Sequence, residues 1–354
     1  MSEESQFAAG ILRGSAGALS GFAAETMLDA HPRLAEVAGP DSFAVWKQWF
    51  ADRIEDLIAA LSAETSDTFV EQMKWAQSMQ AARGLSPDDF RVTLVTLQAV
   101  LASKLPAKAQ VTIESYLHAA LDVCQPTGTG ETDRLVPDSP ARRLAANYLL
   151  ALLDGDRQRA TEMLLNAAAE GKTISELYQQ VLTPALTEVG RMWMAGEISV
   201  AEEHFITATA RDTMTRLRTR AECGSPNGRT VLAAAVAGNQ HDVGLHMIVD
   251  LFELAGWRAI NLGANVPIAD LVRAVNDFSA DVLLLSAALP VHLPTIRDSI
   301  RALRAVHDQP VAVLVGGPAF HADPDLWSQL EADGCARTAE QAIALANQLL
   351  GISE

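Results

Sequence analysis

The sequence predicts a helical N-terminal region followed by a doubly wound parallel α/β sheet. Three observations carry this reading. From residue 229 onward, apolar runs of strand length alternate with amphipathic stretches of helix length. Before residue 222, apolar residues recur at helical spacing without strand-like alternation. Two stretches at 125–138 and 223–228, rich in Gly, Pro and polar residues, lose hydrophobic periodicity and read as linkers. The predicted plan is a helical domain at 1–124, a linker at 125–138, a four-helix bundle at 139–222 and a five-stranded α/β domain at 229–354.

Taken in order, 41–61 carries Phe43, Trp46, Trp49, Phe50, Ile54 and Leu57 on one helical face. Helices follow at 65–82, 90–101 and 107–123. Ser86, Pro87, Asp88 and Asp89 form a helix start, with a capping hydroxyl, proline in the first turn and acids at the positive dipole end. Trp46, Trp49 and Trp75 read as core rather than as an aromatic ligand pocket. His118 reads as a satisfied or surface histidine rather than a haem ligand. In the bundle, Thr173 with Glu176 and Ser199 with Glu202 are capping boxes that open the third and fourth helices. Pro184 lies inside the third helix and is expected to bend it or open a hydrogen bond. Strands are expected at 230–237, 258–261, 282–288, 311–315 and 335–338, with helices between them, including one at 323–331.

The chain has 354 residues, 49% of them hydrophobic, so a packed core is feasible throughout. Its net charge of −17 opposes direct nucleic-acid binding. No apolar run reaches membrane-span length. The first residues lack a secretory pattern, and Cys124, Cys223 and Cys335 form neither a zinc pattern nor a disulfide framework. A cytoplasmic chain is expected. Cys124 reads as a free thiol, with a thioether-linked chromophore as the alternative.

Three features converge at the carboxyl ends of the predicted strands, where open α/β sheets bind ligands. After the first strand comes a loop from Gly238 to Gly244 holding Asn239, His241, Asp242 and Val243. His241 can present a ring nitrogen to a metal or cofactor. Ser286, Ala287, Ala288 and Leu289 end the third strand. Gly316 and Gly317 end the fourth, with 27 residues between Ala288 and Gly316. Small residues there let a bulky ligand approach the backbone, and Ser286 offers a hydroxyl.

This constellation resembles the cobalamin-binding domains, whose pattern is Asp-x-His-x-x-Gly, then Ser-x-Leu, then Gly-Gly after a spacer of closely this length. Leu262, Gly263, Ala264, Asn265, Val266 and Pro267 also resemble the family. The resemblance implies a flavodoxin- or Rossmann-like domain in which His241 ligates cobalt and the cofactor's nucleotide tail enters a slot beside Ser286 and the glycines. Two departures stand out. Asn239 replaces the acid that orients the histidine, so its amide oxygen is expected to accept the imidazole N–H and make a softer ligand. Ala288 replaces the leucine.

Trp193, nine residues, then Glu203 and His204 resembles the signature of CarH-type photoreceptors. The resemblance implies adenosylcobalamin, with Trp193 over its upper face and Glu203 and His204 at the adenosyl group. Met194 stands where those photoreceptors have a second cobalt-binding histidine, so a bis-histidine adduct through that position is excluded. A helical, globin-like domain ahead of such a module resembles the photocobilins, which implies biliverdin as a second chromophore. The leading expectation is therefore a non-enzymatic light sensor. Photolysis of its cobalt–carbon bond would alter a homo-oligomer or the binding of an unidentified output protein. The alternatives are a corrinoid carrier of a methyltransferase system and a cobalamin-dependent regulator without photochemistry.

Overall fold

The computed structural model describes residues 2–82, 84–123, 135–306, 311–321, 323 and 325–352. Cys124 and residues 125–134 of the first predicted linker lie outside them. The fold resolves into two compact units. One comprises Met1–Thr129, Ala288–Arg297 and Pro318–Leu330, and the other Gly130–Ala287, Asp298–Gly317 and Glu331–Glu354.

In the first unit the described residues form α1 (Glu3–Ala30), α2 (Pro32–Ala38), α3 (Ser42–Ala63), α4 (Ser66–Ala82), α5 (Pro87–Lys104) and α6 (Ala107–Val123). Their shared core includes Leu12, Phe50, Leu57, Phe69, Phe90 and Leu117. Trp46 is buried and donates its indole N–H to the carbonyl of Leu34 at 3.0 Å. Trp49 meets Trp46, Phe50 and Phe90 edge to face, with the Arg53 guanidinium over its ring. Trp46 is core, as expected, whereas Trp49 is half-buried against that core and Trp75, expected in it as well, is only half-buried. Arg53 also pairs with buried Asp56 at 2.7 Å, and burial raises the Asp56 pKa against the lowering pull of that arginine. His118 is exposed and contacts Gln98. The predicted cap at α5 is present in full: Ser86 accepts from the Asp89 N–H and Asp89 reaches back to the Ser86 N–H. The segment after the third strand also belongs here. Its turn at Pro290–His292 packs on α3, and Arg297 donates to the carbonyl of Ser62 at 3.1 Å.

The second unit begins with α7 (Pro140–Leu153), α8 (Arg157–Ala169), α9 (Ile174–Leu177), α10 (Thr183–Met194) and α11 (Val200–Arg218). Both predicted capping boxes form, at Thr173 with Glu176 and Ser199 with Glu202. The disturbance expected at Pro184 takes the form of a π-helical turn over Tyr178–Leu182, in which Thr183 N–H reaches back to the Tyr178 carbonyl. A proline cannot supply the next backbone donor, and the widened turn absorbs the register change.

The sheet follows: β1 (Thr230–Ala235), β2 (Arg258–Asn261), β3 (Val282–Ser286), β4 (Ala312–Gly316) and β5 (Gly334–Ala336). All pairings are parallel and the order is β2-β1-β3-β4-β5. β1 is buried along its whole length, as a strand covered on both faces must be, hence its unbroken apolar run. The intervening helices are α12 (Val243–Leu254), α13 (Ile268–Asp277), α14 (Leu293–Val306), α15 (Leu326–Gln329) and α16 (Ala339–Leu350). β1 and β3 end two residues earlier than predicted, with Val236 continuing only as an isolated parallel bridge to Val266. The helix expected at 323–331 shrinks to α15. The helical segment packs on α12 and α16 through Met247, Leu251 and Ala339.

Candidate functional site

β1 delivers the chain to its carboxyl edge and α12 restarts it at Val243, which leaves a short loop with His241 near its end. Asn239 holds this loop together. It is fully buried; its Nδ2 donates to the Ser286 carbonyl and its Oδ1 accepts from the His241 backbone N–H, both at 3.0 Å. Its own N–H donates to the Val236 carbonyl and its carbonyl accepts from the Asn265 N–H, each at 2.9 Å. Asn265, in the left-handed region at φ 55°, accepts from the Gly238 N–H at 2.7 Å through its side chain. One asparagine thus ties β1, β3 and the loop after β2 into one backbone framework. Leaving such a buried amide unpaired costs about 1–3 kcal/mol.

This corrects the expected role of Asn239. Its amide oxygen is occupied by a backbone donor two residues away rather than by the imidazole N–H. The side chain is short and sealed at the strand end, where the main chain is nearer than the ring. The His241 side chain is exposed, and its ring makes no hydrogen bond among the described residues. Asp242 points away from the histidine. It is buried, and its carboxylate forms an ion pair with Arg211 of α11.

The glycines divide by cause. A Cβ on Gly316 would lie 2.7 Å from the Ala336 carbonyl oxygen, and one on Gly317, at φ 101°, only 2.4 Å from that of Ala287. Their glycine character therefore follows from backbone crowding between β3, β4 and β5, not from an approaching ligand alone. Gly263 is at φ 79° and sits near the Asp242 carboxylate. Gly244 differs: a Cβ there would meet nothing within 4 Å, and its conformation is ordinary helix. Ser286 is half-buried at the end of β3, level with Ala235 and Gly316, and its hydroxyl makes no hydrogen bond among the described residues. Ala288 and Leu289 belong to the first unit, where Leu289 donates its N–H to His292 at 3.3 Å.

On the helical segment, Trp193 ends α10 and is 39% exposed. Glu203 and His204 lie near the start of α11. His204 contacts Glu203 at 2.6 Å, and Thr207 donates to the same carboxylate at 2.6 Å. Among the described residues no hydrogen bond or ring contact joins Trp193, Glu203 or His204 to the histidine loop. Elsewhere on this segment, Tyr178 donates to Asp250 of α12 at 2.5 Å. Burial raises the pKa of both groups, and each is further tuned by the other.

A group of three or more metal-binding side chains is absent among the described residues. His241 can therefore offer a metal a single ring nitrogen, outside any such group among the described residues. The residues fit a cobalamin: an exposed imidazole on an anchored loop, open space over Gly244 and a free hydroxyl at Ser286. Comparison with known proteins decides the family. A B12-binding domain matches residues 229–346, and a second type of B12-binding domain matches residues 144–218. The chain also shares 30% identity over 122 residues with dimethylamine corrinoid protein 3 of Methanosarcina mazei, covering 34% of this chain and 71% of that one.

The chain belongs to the B12-binding domain family.

Both family matches lie after residue 143. A corrinoid protein of Desulfitobacterium hafniense is 26% identical over 208 residues, spanning 57% of this chain and 94% of that protein. The transcriptional repressor CarH of Myxococcus xanthus is 29% identical over 164 residues, 46% of this chain and 54% of the repressor. Among solved structures, the monomethylamine corrinoid protein of Methanosarcina barkeri aligns with a TM-score of 0.52 at 17% identity, over 59% of this chain and 99% of that one, a likeness of fold. No helix among the described residues is long and apolar enough to cross a membrane. Arg211 is the residue whose contact with the histidine loop a reading for motifs misses, whereas Asn265 lies in the 262–267 motif. No local pattern signals the pairing of Arg211, because its partner Asp242 lies 31 residues further along the sequence.

Proposed function

We propose that this B12-binding protein is a corrinoid carrier, a non-catalytic component that presents a cobalamin-bound methyl group to partner methyltransferases. The observation that carries the reading is the exposed, unpartnered His241 ring on a loop fixed at Asn239, beside the open Gly244. Support also comes from corrinoid proteins that this chain matches over most of their length. When bound, cobalamin supplies a cobalt centre that takes up and releases methyl groups. The chain's own residues do the rest. His241 would offer cobalt a ring nitrogen, and Val243, Gly244, Gly263, Ser286, Gly316 and Gly317, at the carboxyl ends of the strands, would hold the cofactor. Ala288 and Leu289, which follow Ser286 in the chain, are expected from the sequence to join them. Residues 229–354 hold the cofactor in this reading, 139–222 form a four-helix cap over its upper face, and 1–124 form a separate helical domain. Trp193 is 39% exposed and so would remain open to a partner enzyme in this reading.

The adenosylcobalamin light sensor is the second reading. Trp193 with Glu203 and His204 favours it, as does the similarity to CarH. Its homo-oligomer and its output protein are parts of that reading alone. Biliverdin, the second chromophore of that reading, would have to bind away from Trp46 and Trp49, whose rings are engaged with each other and with Phe50 and Phe90. The two readings separate in one experiment. The purified full chain is titrated with methylcobalamin and adenosylcobalamin in darkness, and its mass is measured before and after green light. The carrier reading predicts comparable affinities and an unchanged mass. A preference for adenosylcobalamin of tenfold or more, which is about 1.4 kcal/mol, with a light-dependent mass, overturns it in favour of the sensor.

A further inference from the structure

We infer that Arg211 is a positioning residue for His241, so that ligation of cobalt by the histidine depends on the seating of α11. The inference rests on the reading of His241 as the cobalt ligand. Asp242 follows the histidine directly and is the first carboxylate on its loop. It is buried, and it is spent on the Arg211 guanidinium, which reaches it from the helical segment. The Arg211 side chain is 42% exposed, whereas that of Asp242 is 10% exposed, so the arginine closes the loop from its solvent side. The loop is also held through Asn239 and Asn265. His241 is therefore gripped between a neutral backbone framework and one charged contact from another layer.

The same helix face carries Glu203, whose carboxylate accepts from Thr207, and then Arg211. Eight residues at 1.5 Å rise put Glu203 about 12 Å along the axis from Arg211. Clamping Arg211 to Asp242 thus fixes how far the start of α11 stands from the histidine. A helical cap that swings aside to expose the upper face must break this pair, and the histidine loop then loses its charged anchor. Exposed ion pairs contribute little, but a half-covered guanidinium on a buried carboxylate is a stronger link. Outer partners that orient a metal ligand typically account for about 10–100-fold in affinity.

The test uses the full chain with and without cob(II)alamin. Arg211→Met and Arg211→Lys are compared with Arg218→Met, which removes a second α11-to-α12 ion pair, with Glu253 at 2.9 Å, away from the loop. Electron paramagnetic resonance reads the fraction of cobalt carrying a protein histidine nitrogen, and hydrogen exchange of the cofactor-free chain reads the amides of 238–245. Arg211→Met is expected to cut the histidine-bound fraction about tenfold and to speed exchange in the loop. Arg211→Lys should restore most of both, and Arg218→Met should change neither. Equal effects of Arg211→Met and Arg218→Met, or no effect of the former in a wild type that ligates through histidine, overturn the inference. A wild type without a histidine nitrogen on cobalt contradicts the reading of His241 itself, while the exchange arm still decides whether Arg211 anchors the loop.

Discussion

The two ends of the proposed cobalamin site are built differently. The histidine end is made of backbone: Asn239, Asn265, Gly316 and Gly317 are fixed by main-chain hydrogen bonds and main-chain crowding. The Trp193 end is made of side chains at helix termini that contact only near neighbours or solvent. A backbone-built site can present one ligand in one geometry. A side-chain-built one tolerates different occupants, so in the proposed site the first end would fix the cofactor and the second would admit different substituents.

The largest effect that would break this contrast is on the backbone side. Gly317→Ala forces a Cβ into the Ala287 carbonyl at a φ that disfavours side chains, and should cost about 3 kcal/mol, read as a lowered urea midpoint. A change below about 0.5 kcal/mol, the size of an ordinary surface substitution, would show that β3 and β4 are free to part. Next comes Asn239→Asp, which restores the residue typical of the family pattern. If Asn239 were the ring's partner, the substitution would strengthen the site. Because its Nδ2 donates to Ser286, the new carboxylate instead sets oxygen against oxygen, at about 2 kcal/mol near neutral pH. A donor toward the Ser286 carbonyl is regained only when the introduced carboxyl takes up a proton, so the loss should shrink on acidification.

Trp193→Ala sharpens the other side. Its ring is 39% exposed, so stability should change by less than about 0.5 kcal/mol, while any preference among upper cobalt substituents should weaken. The smallest effect belongs to the capping boxes. Backbone N–H donation from Thr173 and Ser199 holds the Glu176 and Glu202 carboxylates below their ordinary pKa. Depressed folded-state values stabilise the fold above the ordinary glutamate range, and that contribution is lost as pH falls through the folded values. Glu176→Gln and Glu202→Gln should therefore lower the melting temperature slightly near neutrality and leave it unchanged in acid.

Much of this molecule can be read from local patterns. The alternation after residue 229 yields the parallel sheet, and the capping boxes mark helix starts because both obey short-range chemistry. α1, of 28 residues, is harder, because its many Ala, Gly and Ser positions blur the periodicity. His241 is legible through its spacing to Ser286 and Gly316. The partners of Asn239 are not, since they depend on where β3 and the loop after β2 come to rest. Arg211 is hidden for the same reason: an ion pair across 31 residues of sequence leaves no local mark.

In the proposed site a protein histidine, His241, would ligate the cobalt of a bound cobalamin. The most direct measurement is the electron paramagnetic resonance spectrum of the full chain loaded with cob(II)alamin after growth on 15N-histidine. Ligation by His241 predicts that each cobalt line is split into two by the spin-½ nitrogen, and that His241→Ala abolishes this splitting. Lines split into three by the unlabelled nitrogen of the cofactor's own base, or lines with no nitrogen splitting, would contradict it.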